Sequence, residues 1–214
     1  MNYLHWKEET ITDFDPQAIT KKYEGGFVFT RKGKGVMQQT RSVRINLKTF
    51  ELSSENRRIL KKVSDFPIQS TALPLASYDF MVGKLAKDFY ETKFGDNIMS
   101  ANKVKEMLTT DKSNFNVLLN FGKEGYAICA EYPSFIHYSY PFYDLVKSPK
   151  DMGLGMMTKS IEYAKEKGMT YIYLGSLQRP SDTYKLQFTG LEWFDGKKWK
   201  TDIEEVKKIL ADSK

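Results

Sequence analysis

Cysteine is nearly missing from this chain: Cys129 is the only one in 214 residues. That excludes an internal disulfide and any cysteine cluster around a metal, and it suits a reducing compartment. Histidine is almost as scarce. His5 and His137 lie far apart, with no Cys–His, Ser–His–Asp or paired-histidine spacing, so neither a nucleophile nor a metal site is expected. Long apolar runs are missing as well. None approaches the ~20 residues a membrane helix needs, and the opening MNYLHWKEETITDFD lacks the apolar centre of a signal peptide. The expectation is a cytoplasmic protein with no membrane partner. No internal repeat or long low-complexity linker is visible, which leaves one sizeable domain or two small ones in contact.

Aromatic residues and positive charge are what the chain does have. Hydrophobic residues make up 41%, enough for a real core. The 13 Tyr, 14 Phe and 3 Trp suit half-buried walls, because a tyrosine ring buries while its hydroxyl finds a partner. A net charge of +6 favours a polyanionic partner, either nucleic acid or a phosphate-bearing cofactor.

Taken in order, residues 1–24 read as mixed and polar, with Pro16 as a breaker. Gly25-Gly26 opens a strand over 27–30, and RKGKG (31–35) reads as a hairpin turn. Val43, Ile45 and Leu47 alternate with polar neighbours in a second strand, 42–47. Ser53 or Ser54 starts a helix that turns Arg57, Arg58, Lys61 and Lys62 to solvent and Ile59, Leu60 and Val63 inward. Pro67 and Pro74 bracket a loop. A helix is predicted over 78–90, and another from Ser100 through Leu108. Strands over 115–121, 126–132 and 135–143 with short turns make an antiparallel meander.

The chain is organised around the stretch from Tyr140 to Gly175. An aromatic strand end runs through a loop into KDMGLG (150–155). Next comes a helix with Leu154, Met157, Ile161 and Ala164 on one stripe, which stops at Gly168. The short apolar strand Tyr171-Ile172-Tyr173-Leu174 follows. A strand–helix–strand crossover makes the two strands parallel. At the helix start, amide groups are without intrahelical partners, the glycines remove Cβ atoms, and the dipole adds partial positive charge. The reading is a phosphate seat at Lys150, Met152, Gly153, Leu154, Gly155 and Met156. The alternative is that the two glycines serve tight packing. A further helix over 181–188, a strand over 191–194, a closing strand or loop with Trp199, and a helix over 202–211 capped near Thr201 complete the chain.

A meander, a phosphate-turn helix and a parallel strand make up the core of GNAT-like acyltransferases, in which two parallel strands splay apart. The expected fold is therefore α+β: a GNAT-like mixed sheet, antiparallel meander plus splayed parallel pair, flanked by helices. An N-terminal α/β extension would occupy 1–76 and the acyltransferase domain 77–214. The acyltransferase turn usually begins with Gln or Arg, and here it begins with Lys150.

Over residues 23–200 the chain also resembles the arginyl/leucyl-tRNA–protein transferase family. The similarity rests on Phe142-Tyr143-Asp144, Gly153-Leu154-Gly155, Tyr171-Ile172-Tyr173-Leu174-Gly175, Tyr184-Lys185-Leu186-Gln187-Phe188 and Gly196-Lys197-Lys198-Trp199. Val43-Arg44-Ile45, Phe50 and Ser53 to Arg58 agree with earlier family segments. The chain departs from the family where clustered cysteines would stand, at Met37 to Ser42, and at Lys93-Phe94 and Ser176.

The resemblance implies an acyltransferase that moves an amino acid from aminoacyl-tRNA onto an amine, a protein or peptide N-terminus, with no tightly bound cofactor and no metal. It implies the tRNA acceptor end as a partner. Its phosphates would sit at the glycine turn, and its backbone would lie on Arg57, Arg58, Lys61 and Lys62. Asp144 would bind the amine or take its proton, or else serve as a turn cap, and Tyr143 would donate a hydrogen bond. Phe142, Tyr173, Gly175, Ser176, Tyr184, Lys185 and Phe188 would line the cleft, with core packing the simpler role for Tyr173 and Phe188. Two other readings stay open: an acetyl-CoA-dependent N-acetyltransferase using the same turn for pyrophosphate, and a catalytically silent binding module.

Overall fold

The computed structural model describes residues 4–212. In chain order the elements are β1 (Lys7–Thr10), α1 (Pro16–Glu24), β2 (Phe27–Phe29), β3 (Val36–Gln39), β4 (Ser42–Asn46), α2 (Ser54–Lys62), β5 (Ile68–Ala72), α3 (Phe80–Phe94) and α4 (Ala101–Thr109). Then come β6 (Val117–Phe121), β7 (Gly125–Tyr132), β8 (Phe135–Tyr143), α5 (Met152–Glu166), β9 (Tyr171–Ser176), a 3-10 helix (Pro180–Gln187), β10 (Leu191–Phe194), β11 (Trp199–Lys200) and α6 (Ile203–Ala211). The fold is α+β, with a mixed sheet flanked by helices.

The chain forms two compact units. One takes in the residues up to Ser53, Tyr132–His137, and those from Ala164 onward; the other takes in Ser54–Glu131 and Tyr138–Tyr163. Strand β8 contributes its first residues to one unit and the rest to the other.

The first unit holds a three-stranded sheet ordered β1-β3-β2 and the strand series β11-β10-β4-β9-β8. Strand β9 runs antiparallel to β4. It runs parallel to β8, with Phe135, Ile136 and His137 opposite Tyr171, Ile172 and Tyr173. The parallel pairing follows from the α5 crossover, as the sequence pattern implied. Aromatic rings fill this unit. Tyr23 from α1 packs 4.3 Å from Phe135 and 4.8 Å from Tyr173 between ring centroids. The guanidinium of Arg44 lies between the Tyr171 and Trp199 rings, 3.8 and 3.9 Å from their centroids. It pairs with Glu192 at 2.6 Å and donates to the Tyr173 hydroxyl at 3.3 Å. The stacked rings and paired carboxylate explain how a charge that desolvation would otherwise penalise stays buried.

The second unit holds the strand series β8-β7-β6-β5, with β6 antiparallel to β7 and to β5. Phe142 stacks on Tyr126 at 5.4 Å, and Phe89 of α3 lies 4.9 Å from Tyr143. Ser100 caps α4 through a hydrogen bond from the Lys103 amide.

Several elements differ from the sequence expectation. Pro16 is no breaker but the first residue of α1: its missing N–H is one a helix start never uses. Asp15 caps the turn by accepting from the Gln17 amide at 2.8 Å. The loop between Pro67 and Pro74 contains β5, and residues 1–24 and 31–41 contain β1 and β3. Strands β1 and β5 are polar and largely exposed, so they carry main-chain ladder bonds but none of the apolar alternation that marks a half-buried strand. The helix expected over 181–188 is a 3-10 helix, and the cap of α6 is Asp202 rather than Thr201, accepting from the Glu205 amide.

Candidate functional site

In the second unit the start of α5 is built by β8, the turn after it and the end of α2. Phe142 is buried, and Tyr143 is the last residue of β8. The Asp144 amide donates to the Glu124 carbonyl at 2.8 Å. The Asp144 carboxylate accepts from the amides of Val146 and Lys147 at 2.9 and 3.0 Å. Those bonds, the Lys147 amide first, hold its carboxyl below the usual carboxylate range. Asp144 therefore caps the turn, and its charge is fixed in place.

The amides that open α5 largely have acceptors. Met152 donates to the Pro149 carbonyl and Gly155 to the Asp151 carbonyl, both at 2.9 Å. The Gly153 backbone lies against the Tyr143 ring, and burial pushes that residue's hydroxyl pKa up. The two glycines are closely packed. A Cβ on Gly153 would lie 3.3 Å from the Tyr143 ring, and one on Gly155 would lie 2.6 Å from the Val63 methyls. Met152 and Met156 are buried beneath Gly125. Lys150 is exposed, as is Lys62, whose ammonium pairs with Asp151. That pairing, first of all, holds the Asp151 carboxyl below its usual range. Arg57, Arg58 and Lys61 share the exposed face of α2; Arg58 pairs with Glu55.

In the first unit a second group of predicted residues gathers at the end of β9. Tyr173 and Phe188 are buried. Burial pushes the Tyr173 hydroxyl up to about 12. Tyr184 is exposed and Ser176 half-buried. Lys185 is buried, and its ammonium donates to the Ser176 carbonyl at 2.8 Å. Desolvation, outweighing the attraction of Asp182, lowers its pKa. Gly175 has φ +77°, the left-handed region where glycine is at ease. A Cβ built there would meet only the Lys185 ammonium, at 3.9 Å. Behind this group lies buried His137. Its Nδ1 is 2.9 Å from the Tyr23 hydroxyl, which also accepts the Phe29 amide at 3.2 Å. Desolvation first, then the Lys185 charge, brings the His137 pKa down to about 3, so the ring is neutral.

No family model matches the chain, and neither does any curated protein. Solved structures do resemble it. L-PGS from Bacillus licheniformis aligns over 91% of this chain and 70% of its own, with 12% identity and a TM-score of 0.47. The C-terminal domain (DUF2156) of a putative lysylphosphatidylglycerol synthetase from Agrobacterium fabrum aligns over 80% and 55%, with 10% identity and a TM-score of 0.46. A GCN5-related glucosamine N-acetyltransferase region of a fungal multi-domain GH3 β-N-acetylglucosaminidase aligns over 86% and 23%, with 11% identity and a TM-score of 0.44. At such values none of these proteins' activities extends to this chain.

Among the described residues, no three His, Cys, Asp or Glu side chains gather to hold a metal, and no helix is long and apolar enough to cross a membrane. Sequence reasoning did not foresee Val63 packed on Gly155, because Val63 arrives from another element. It also missed the Tyr23–His137 pair, whose members stand 114 positions apart. No local pattern encodes such a pair.

Proposed function

We propose that this protein is an aminoacyl-tRNA-dependent transferase that moves an amino acid onto an amine, a protein or peptide N-terminus. One observation carries the reading. The residue series shared with the arginyl/leucyl-tRNA–protein transferases falls in order on the end of β8, the start of α5, the length of β9 and the 3-10 helix, around a parallel β8–α5–β9 connection. In the reaction the amine nitrogen attacks the ester carbonyl. The C–O bond to the tRNA ribose breaks, and the amine's proton leaves with the displaced hydroxyl or with water. Because the ester is already activated, positioning supplies much of the rate.

The geometry refines the roles. Asp144, held ionised by two amides, suits holding the acceptor's ammonium better than taking its proton. Tyr143, packed against Gly153, offers its O–H to the developing oxyanion. Lys150 and the turn from Met152 to Met156, through Gly153, Leu154 and Gly155, receive donor phosphates in this reading, which asks the Met152 and Gly155 amides to give up the Pro149 and Asp151 carbonyls. Phe142, Tyr173, Gly175, Ser176, Tyr184, Lys185 and Phe188 serve the donor side, and Arg57, Arg58, Lys61 and Lys62 contact the tRNA backbone through charge. No tightly bound cofactor is called for, and aminoacyl-tRNA is the co-substrate.

The test is incubation with a charged tRNA pool and a peptide library, read by mass spectrometry. Peptides heavier by one amino-acid residue, dependent on charged tRNA, are the expected product. Tight acetyl-CoA binding without RNA affinity, and acetylated peptides instead, would replace the reading with N-acetyl transfer. No transfer of either kind, with binding intact, would leave a silent binding module.

A further inference from the structure

In the second unit, β5 (Ile68–Ala72) ends the strand series, so one of its sides has no neighbouring strand. Its pairing with β6 fixes which groups face that side. The Gly122 amide donates to the Pro67 carbonyl at 3.0 Å, and the Leu73 amide to the Asn116 carbonyl at 2.9 Å. Between these two bonds the register runs unbroken from Ile68 opposite Phe121 to Ala72 opposite Val117. Along such a ladder, residues that bond to the neighbour alternate with residues that face away. Gln69 and Thr71 therefore spend their main-chain groups on β6, while the N–H and C=O of Ile68, Ser70 and Ala72 point outward. Among the described residues no hydrogen bond reaches those outward groups, and Gln69 to Ala72 are exposed.

An open edge templates another strand unless something guards it. Strand β1, at one end of the three-stranded sheet, is guarded by the charges of Lys7-Glu8-Glu9. Strand β5 has no such guard. No Asp, Glu, Lys or Arg stands between Asp65 and Asp79, nor between Lys112 and Lys123 around β6, in a chain that is 28% charged. Pro67 and Pro74 limit the open stretch to the strand itself.

The strand is complementary to a second copy of itself. In an antiparallel pair centred on Ser70, Ser70 faces the other copy's Ser70, and Ile68 faces the other copy's Ala72. Each outward N–H then meets an outward C=O. Shifting the register two residues one way sets Ile68 opposite Pro74, which has no N–H. Shifting it the other way sets Ala72 opposite Phe66, whose amide already donates to the Val63 carbonyl at 3.2 Å. Because each copy carries a net charge of +6, close approach is least opposed where the surface has no charge of its own.

We propose that β5 is a self-association edge, at which two copies of this chain join β5 to β5 across a two-fold axis. The strand is short, so the dimer is reversible and forms as concentration rises. The proposal is independent of the transferase reading.

Sedimentation of the full chain from micromolar to millimolar concentration is expected to show a monomer passing into a dimer. Over the same range, amide hydrogen exchange read by NMR is expected to slow several-fold at Ile68, Ser70 and Ala72. Exchange at Gln69 and Thr71, whose amides already meet β6, is expected to stay the same. Ser70→Pro removes an outward N–H and leaves the β6 ladder intact. It is expected to weaken dimerisation about tenfold, with the fold kept by circular dichroism. Ser70→Lys sets like charges face to face on the axis. It is expected to weaken the dimer as well, with part of the loss regained in high salt.

A chain that sediments as a monomer at every concentration overturns the proposal. So does a dimer in which the three outward amides exchange as they do in the monomer, because the copies then meet elsewhere. If Ser70→Pro does not fold, Ser70→Lys and the alternating exchange pattern still decide. Added peptides that protect the same amides in a chain that stays monomeric also overturn it, in favour of a peptide as the added strand.

Discussion

At the start of α5, two of the opening amides already have acceptors inside the protein, and Gly155 lies against Val63. At the end of β9, Lys185 donates to the Ser176 carbonyl, and among the described residues only its ammonium comes within reach of a Cβ on Gly175. Both stretches carry glycine next to a lysine or arginine within a few residues, and by composition either could seat an anion. What separates them is occupancy. In one unit neighbouring side chains pack against both glycines, and Asp151 brings a carboxylate that Lys62 pairs with. In the other unit a buried lysine, attracted by Asp182, is what faces the glycine. A glycine at a helix start therefore says little until it is known whether its missing Cβ makes room for the protein or for something else.

The largest effect that would sharpen this contrast is in acid. His137, buried and neutral in the fold, has a pKa lowered from 6.5 to about 3. The unfolded chain therefore takes up a proton first as pH falls. The stability this ring contributes is complete above pH ~6.5 and declines as pH falls toward about 3. Urea unfolding from pH 7 to 4 is expected to show a loss of several kcal/mol that His137→Gln largely removes. Equal slopes in the two proteins would contradict the burial argument. Asp144, in the other unit, has a lowered folded pKa as well. Its contribution is lost only below pH ~4, nearer the ordinary carboxylate value.

Filling the two glycines comes next. Gly155→Val forces side-chain atoms into Val63 and is expected to cost about 1–3 kcal/mol in urea unfolding, with partial recovery when Val63→Ala is added. Gly175→Ala meets no side chain but Lys185 and pays only for its positive φ, about 1–2 kcal/mol. A Gly155 variant no less stable than the natural chain would mean that α5 does not need its close approach to Val63.

Two smaller effects probe use rather than packing. Tyr143→Phe removes the phenol O–H that lies beside Gly153. If that O–H serves the oxyanion, transfer slows while phosphate binding by calorimetry is unchanged. A fall in binding would argue that the tyrosine itself meets the ligand. Arg57→Glu with Arg58→Glu on the exposed face of α2 is expected to weaken RNA binding modestly and to flatten its salt dependence by about two counterions. An unchanged salt slope would remove α2 from the RNA path.

Much of the architecture could be read from the chain because the signals were local. The alternation in Val43-Arg44-Ile45, the Ser100 cap, the stripe from Leu154 to Ala164 and the stop at Gly168 each depend on residues within a turn or two. The exposed strands β1 and β5 could not be read, since main-chain pairing leaves no side-chain trace when neither face is buried. At the candidate site, the core packing read as the simpler role for Tyr173 and Phe188 agrees with their burial, and Phe142, read as cleft lining, is buried too. The Asp144 carboxylate accepts two amides of its turn.

By itself the sequence determined the elements that carry a buried face or a cap, and that β8 and β9 run parallel, because periodicity, capping and crossover chirality act over short separations. Only the tertiary structure decided which groups are already satisfied. The Tyr143 ring packs on Gly153, Val63 covers Gly155, the Tyr23 hydroxyl meets His137, and the Lys185 ammonium meets the Ser176 carbonyl. Hydrogen bonds and excluded volume between segments distant in the chain are fixed when the core closes, and residue order alone does not encode their outcome.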